Sequence, residues 1–268
     1  MKLEILLSTM NQKDLSIIKD MNIRGNVLIV NQSDFHDYCY LDNSPEQVVK
    51  MYSFAERGIG LSRNTALMRA SGDICLLADD DVVYKEDYEQ IVLQAFRDYP
   101  YADVILFNVP SMNIERKGPA SIDNVTGINF FNFMRYGAVN IAFKKESVTK
   151  ANIFFSLLYG GGAKYNAGED TLFLYDCLHK GLKVIGYPRE IGKVKQEGSS
   201  WFTGFNEKYF FDKGVLYTNL SKKLSYFLIL QFAIRKHQIY REQIKFTDAL
   251  RYMIKGRKNF ISQRDIYE

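Results

Sequence analysis

Short apolar runs separated by helix-forming segments constrain this chain more than any other feature. Residues 3–8 read as a strand, 14–21 as a helix start with amphipathic spacing, and 27–30 (VLIV) as a short continuous apolar run. Strand, helix and strand in that order point to a parallel unit. A polar stretch rich in Asn, Ser and Asp follows and reads as a loop. Residues 62–70 (SRNTALMRA) then carry helix formers, with Ser62 placed as an N-cap and Gly72 as a stop. Residues 74–82 (ICLLADDDV) read as a buried strand, 86–97 as an amphipathic helix ended by Pro100, and 103–109 as another strand. This alternation predicts an α/β domain with a mostly parallel central sheet flanked by helices.

Residues 110–127 turn polar and rich in breakers, which reads as a long loop. A strand over 138–143, a helical turn over 146–151 and a glycine loop at 159–163 come next. A helix over 171–180 stops at Gly181, and 183–188 is strand-like. A length of 268 residues with 47% hydrophobic and 25% charged residues suits one large domain or a domain with an appendage. The start, MKLEILLSTMNQKD, reads as a first strand and not as a signal peptide. No apolar run approaches the roughly 18 to 20 residues needed to cross a bilayer, so the expected location is cytoplasmic. Cys39, Cys75 and Cys177 are far apart, which argues against a disulfide framework or a zinc cluster and for reduced thiols in or near the core.

Charge is uneven. From Ser221 onward there are 11 Lys/Arg against 4 Asp/Glu, a local excess of 7 in a chain whose total is +4, so the remainder is acidic by about 3. Residues 221–268 therefore read as a basic helical extension, after a domain over 1–220 whose halves meet near residue 110. Within the extension, 224–234 is strongly apolar and flanked by Lys222, Lys223, Arg235 and Lys236. Burial against the preceding domain is the favoured reading. The alternative is peripheral contact through 221–236 with the inner face of a membrane, beside anionic headgroups. Nothing in the chain calls for nucleic acid as a partner.

Three short stretches carry chemistry. Asp79, Asp80 and Asp81 end an apolar strand, where open α/β sheets bind their ligands. The strand repeat puts Asp79 and Asp81 on one side, roughly 7 Å apart, and Asp80 on the other. Such hard oxygens suit Mg²⁺ or Mn²⁺, whereas the plain alternative is a solvated turn. Glu169 and Asp170 follow Gly168 at a helix start, where an acidic residue is either a cap or a general base. In Gly58-Ile59-Gly60-Leu61-Ser62-Arg63-Asn64 the GxG spacing is too short for a phosphate-loop signature. Arg63 could contact a diphosphate, orient Asp79 to Asp81, or form a structural ion pair.

Taken together, GLSRNTALMRASGDICLLADDDV and, about 90 residues later, GED resemble the two acidic motifs of the inverting family 2 glycosyltransferases. The resemblance covers roughly residues 1–190. It implies the GT-A fold (a Rossmann-like sheet), a nucleotide-sugar donor with a UDP-sugar as default, a Mg²⁺ or Mn²⁺ ion, and a glycan or lipid-linked acceptor of a surface polysaccharide. It also implies Asp81 as the main metal ligand, with Asp79 and Asp80 shared between donor and metal, and Asp170 as the base beside Glu169. Ser8, Thr9 and Met10 would meet the nucleotide, joined by Arg63 and Asn64. Asn31 and Gln32 stand where the family usually has an acidic base-reading residue, so one of them takes that work. Gly160 to Gly162 would let backbone approach the sugars, with Gly161, Gly162 and Trp201 on the acceptor side. Lys193 to Glu197 contains no His to complete a metal shell, which leaves diphosphate and water as the remaining ligands. The stretch Gln196 to Trp201 lacks the Arg of the processive synthases, favouring single-sugar addition. Two rivals differ in class: a sugar-nucleotide nucleotidyltransferase, which STMNQKD serves poorly as a phosphate loop, and a non-catalytic glycan-binding protein on the same fold.

Overall fold

A computed structural model describes residues 1–43, 45, 47–113, 121–195 and 204–264. In chain order its elements are β1 (Leu3–Met10), α1 (Ser16–Asp20), β2 (Asn26–Gln32), β3 (Asp37–Asn43), β4 (Gln47–Phe54), α2 (Ile59–Arg69), β5 (Ile74–Asp79) and β6 (Val82–Tyr84). Then come α3 (Tyr88–Asp98), β7 (Val104–Asn108), β8 (Thr126–Gly127), β9 (Ile141–Lys144), α4 (Lys145–Lys150), α5 (Glu169–His179), β10 (Val184–Glu190) and β11 (Gly192–Val194). Three helices close the chain: α6 (Glu207–Leu220), α7 (Ser225–Tyr240) and α8 (Phe246–Arg264).

Among the described residues, nine strands form one sheet in the order β3-β4-β2-β1-β5-β9-β7-β10-β8. Strands β4, β2, β1 and β5 are mutually parallel, and β9 runs antiparallel between β5 and β7. The apolar runs drive this order: Ile5, Leu7, Ile29, Leu76 and Ala78 are buried on the face that α3 covers with Ile91, Val92, Ala95 and Phe96. The mostly parallel α/β architecture agrees with the expectation.

Two local readings do not hold. The stretch taken as a polar loop contains the antiparallel β3–β4 hairpin, whose outer strand has no buried residue and so leaves no apolar run to read. Nor does Ser62 cap α2. That helix begins at Ile59 after Gly58 (φ +132°), and Ser62 sits inside it, buried, with its hydroxyl donating to Ser8 Oγ at 2.9 Å.

By contact the described residues divide into two units. One holds 1–163 and 169–195, and the other holds 164–168 and 204–264. The second unit begins earlier than the expected Ser221, because α6 packs along α8 and belongs with the last helices. Gly214 and Gly256 make that packing close: a Cβ on Gly214 would lie 2.0 Å from Met253 O, and one on Gly256 2.1 Å from Phe211 O. Cys75 and Cys177 are buried free thiols, and burial holds both thiols well above their ordinary pKa. Among the described residues, no helix is long and apolar enough to cross a membrane.

Candidate active site

Parallel register lines up the carboxyl ends of the central strands. Ser8 of β1 lies beside Asp79 of β5, and Met10 lies beside Gln32 of β2, which in turn pairs with Phe54 of β4. Strand β5 is fully buried through ICLLA and emerges only at Asp79. The apolar run therefore delivers the three carboxylates to the sheet's edge. Thr9 Oγ1 donates to Asp80 Oδ2 at 2.7 Å and accepts from Gln12 Nε2 at 2.9 Å, which orients Asp80. The Asp81 carbonyl accepts the Lys195 N–H at 2.8 Å, closing the turn against the end of β11.

Arg63 joins the two acidic motifs. Its guanidinium is 3% exposed and donates from Nη2 to Asp79 Oδ1 at 2.7 Å and from Nη1 to Glu169 Oε1 at 2.8 Å. Burial works against its charge, but Asp79 and Glu169 outweigh that and hold its pKa above the ordinary arginine range. Phe155 lies 5.6 Å from the guanidinium carbon, and Nε makes no hydrogen bond. A buried cation with two carboxylates is a positioning device, since either acid left alone would carry an uncompensated charge.

Asp170 is the second residue of α5. Its Oδ1 accepts the Thr171 N–H at 2.6 Å and lies 3.3 Å from Thr171 Oγ1, while Oδ2 faces Gly137. The loop before α5 is built on close approach: a Cβ on Gly160 (φ +100°) would lie 2.2 Å from Ile59 Cγ2 and 2.8 Å from the Glu169 carboxyl. Gly162 (φ +79°) packs on Gly58, and Gly161 O accepts the Ile59 N–H at 2.9 Å. These glycines thus hold the loop against α2 and Glu169. Of the three loop glycines, Gly161 leaves open space around a Cβ.

Several expected donor contacts are occupied within the protein. Ser8 is buried against Ser62. Asn31 is fully buried, its amide spanning Gln12 and Ser53. Gln32 accepts the Gly58 N–H at 2.7 Å. Asn64 exchanges hydrogen bonds with the Phe155 backbone at 2.8 and 2.7 Å. Arg63, read as a diphosphate contact, an orienter of Asp79 to Asp81 or an ion-pair partner, is bonded to Asp79 and Glu169. The internal bonds of these side chains have one cause: buried polar atoms must find partners, and here they find them in neighbouring elements. Thr9 is buried as well, whereas Met10 is exposed at the strand end. Trp201 lies outside the described residues. Sequence reasoning missed Gln12 and Arg57. Arg57 donates to Ser33 O and to Asp34 Oδ1, both at 2.7 Å, and with Gln32, Phe54, Glu56 and Leu61 it lines a small recess. Neither residue belongs to a recognisable motif.

Among the described residues, no three His, Cys, Asp or Glu side chains are gathered to enclose a cation. The donor set is nevertheless suited to a shared one. Asp81 has its carboxyl pushed up to about 6, by burial first and then by the charges of Asp79 and Asp80. Hard oxygens with uncompensated charge fit Mg²⁺ or Mn²⁺ completed by phosphate and water. Asp79, expected as the second ligand, has Oδ1 bonded to Arg63.

Residues 37–155 match the family profile described as Glycosyl transferase family 2. No curated protein matches the chain in sequence. Among solved structures, S. aureus TarS 1–349 in complex with UDP-GlcNAc superposes with a TM-score of 0.66 at 17% identity, covering 97% of this chain and 81% of that one. The longer TarS chain gives 0.62 at 16% identity over 96% of this chain, which spans about half (49%) of it. Mannosyltransferase PcManGT from Pyrobaculum calidifontis, in complex with GDP-Man and Mn²⁺, gives 0.52 at 13% identity over 95% and 73%. The fold is GT-A, and residues 37–155 carry the similarity to the family 2 glycosyl transferases.

Proposed function

We propose that the protein is a metal-dependent, inverting glycosyltransferase that moves one sugar from a nucleoside diphosphate donor to a hydroxyl of a glycan or lipid-linked acceptor. The observation that carries this reading is Arg63, which brings a carboxylate of the aspartate-rich strand end and one of the α5 start onto a single guanidinium. The nucleotide takes the carboxyl ends of β1 and β2, with its base toward the recess of Gln32, Phe54 and Arg57. Neighbours solved with UDP-GlcNAc and GDP-Man support a nucleotide sugar in general. A surface-polysaccharide role in the cytoplasm belongs to the same proposal.

Asp170 accepts the proton of the acceptor hydroxyl, the acceptor oxygen bonds to the anomeric carbon, and the bond from that carbon to the diphosphate breaks with its electron pair leaving on the diphosphate. Attack opposite the leaving group inverts the anomeric centre. The Thr171 N–H on Oδ1 helps to fix the carboxylate. Thr9 holds Asp80, and Arg63 holds Asp79 and Glu169. Asp81, with Asp79 and Asp80 beside it, would hold a Mg²⁺ or Mn²⁺ ion, which would supply positive charge for the departing diphosphate.

A thermal-shift screen of nucleotide sugars with Mn²⁺, followed by transfer assays, tests this. Asp170→Asn is expected to retain donor binding and lose at least about 100-fold in transfer, the scale of general-base catalysis. Asp81→Ala is expected to lose both. Absence of any metal-dependent nucleotide-sugar binding would overturn the reading.

A further inference from the structure

Helix α7 has two faces of opposite character. Ser225, Ile229, Phe232, Ala233 and Tyr240 are buried, with Phe232 5.7 Å from Tyr217 and Tyr240 4.9 Å from Phe210 between ring centroids. On the other face Leu224, Phe227, Leu230 and Ile234 are 59%, 66%, 46% and 61% exposed. Their spacing of three, three and four residues makes one stripe roughly 15 Å long. Packing within the helical unit therefore accounts for only half of the apolar run.

The charge around the stripe has one sign. From Ser221 to Arg241 there is no Asp or Glu, while Lys222, Lys223, Arg235, Lys236 and Arg241 are all basic, and all but Lys236 are exposed. Arg257 of α8 adds a further cation at the stripe's start, its guanidinium 3.9 Å from the Tyr226 ring centroid and bonded to Ser225 Oγ at 2.8 Å. A second copy of this face would bring cations against cations with no carboxylate of α7 to meet them. Lipid phosphates supply the missing sign, and an acyl boundary accepts the aliphatic and aromatic tips.

We propose that this face of α7 is a docking surface for an anionic bilayer. Leu224, Phe227, Leu230 and Ile234 enter the headgroup–acyl boundary, and Lys222, Lys223, Arg235 and Arg241 pair with lipid phosphates. At 16 residues, roughly 24 Å, α7 lies along the interface and does not cross it. This inference is independent of the transferase reading, because it needs neither donor nor acceptor.

The test is co-sedimentation of the full chain with phosphatidylcholine vesicles, alone or mixed with phosphatidylglycerol, at low and high salt. Binding is expected only to the anionic vesicles, weakening at high salt as exposed charges are screened. Lys222→Ala with Lys223→Ala is expected to lower partitioning roughly tenfold or more. Phe227→Ser with Ile234→Ser is expected to release the protein at an unchanged unfolding temperature, since neither side chain is buried in the fold. No vesicle binding, equal binding to neutral vesicles, or unchanged binding by both variants would overturn the proposal. So would light scattering that finds a dimer, dissociated by the Phe227→Ser pair, in protein that ignores vesicles.

Discussion

Arg63 and Asp81 are residues whose cost to the fold is tied to their place in the site. Arg63→Lys keeps the charge but replaces a planar fork by a single ammonium, which cannot reproduce the two separate contacts to Asp79 and Glu169. Arg63→Met leaves both carboxylates uncompensated and should lose about 3 to 5 kcal/mol of stability, the scale for breaking a buried ion pair, as read by urea denaturation. If Arg63 positions the acids, Arg63→Lys should lower kcat more than it raises donor KM. Asp81 acts in the opposite sense. Its folded pKa of about 6 lies above the ordinary carboxylate value, so its ionised form is penalised in the fold. That penalty builds as pH rises from about 4 to about 6 and is complete above that range. Asp81→Asn should therefore stabilise the metal-free protein at neutral pH by on the order of 1 kcal/mol after solvent screening. The advantage should shrink as pH falls toward about 4. Mn²⁺ should raise the unfolding temperature of the wild type and not of Asp81→Asn.

At the scale of elements, the site depends on where strands stop and how closely helices approach. β5 ends in carboxylates because its apolar residues satisfy the core up to Ala78, and the next residue has reached the edge. α2 runs beside it and carries Ser62 to Ser8, Arg63 to Asp79 and Asn64 to Phe155 in three successive residues. Those contacts fix β1, β5 and the segment before the glycine loop to one helix. In the helical unit, closeness between α6 and α8 requires Gly214 and Gly256. Gly256→Val is expected to push the pair apart and cost about 1 to 3 kcal/mol, as overpacking does, lowering the unfolding temperature. In α7, the mixed character of the run explains why burial was only a partial reading: helical spacing sends Phe232 inward and Phe227 outward within five residues.

Across the whole molecule, ligand effects should follow the division into two units. Donor nucleotide with Mn²⁺ at about 100 times its Kd should add about 2.7 kcal/mol by mass action. Hydrogen exchange should then slow at the ends of β1, β2 and β5 and at the start of α2, and remain unchanged in α6 and α8. Uniform protection of α8 would show that the nucleotide engages the helical unit instead.

The order of strands and helices, the edge position of Asp79 to Asp81 and the helix start at Glu169 and Asp170 are determined by the sequence alone. Each follows from a local pattern of apolar runs, breakers and caps. Strand β3 escaped that logic because an exposed edge strand has no buried face to leave a pattern, whereas β4 carries an alternating buried face at Val49, Met51 and Ser53 that the polar flanks obscured. Partnership was decided only by the tertiary structure. Arg63 lies 16 residues from Asp79 and 106 from Glu169, and no periodicity spans such separations. The same holds for Asn31, Gln32 and Asn64, polar side chains that read equally well as ligand contacts or as internal bonds. Packing supplies their internal partners, because a buried polar atom bonds to whichever group the fold brings within about 3 Å.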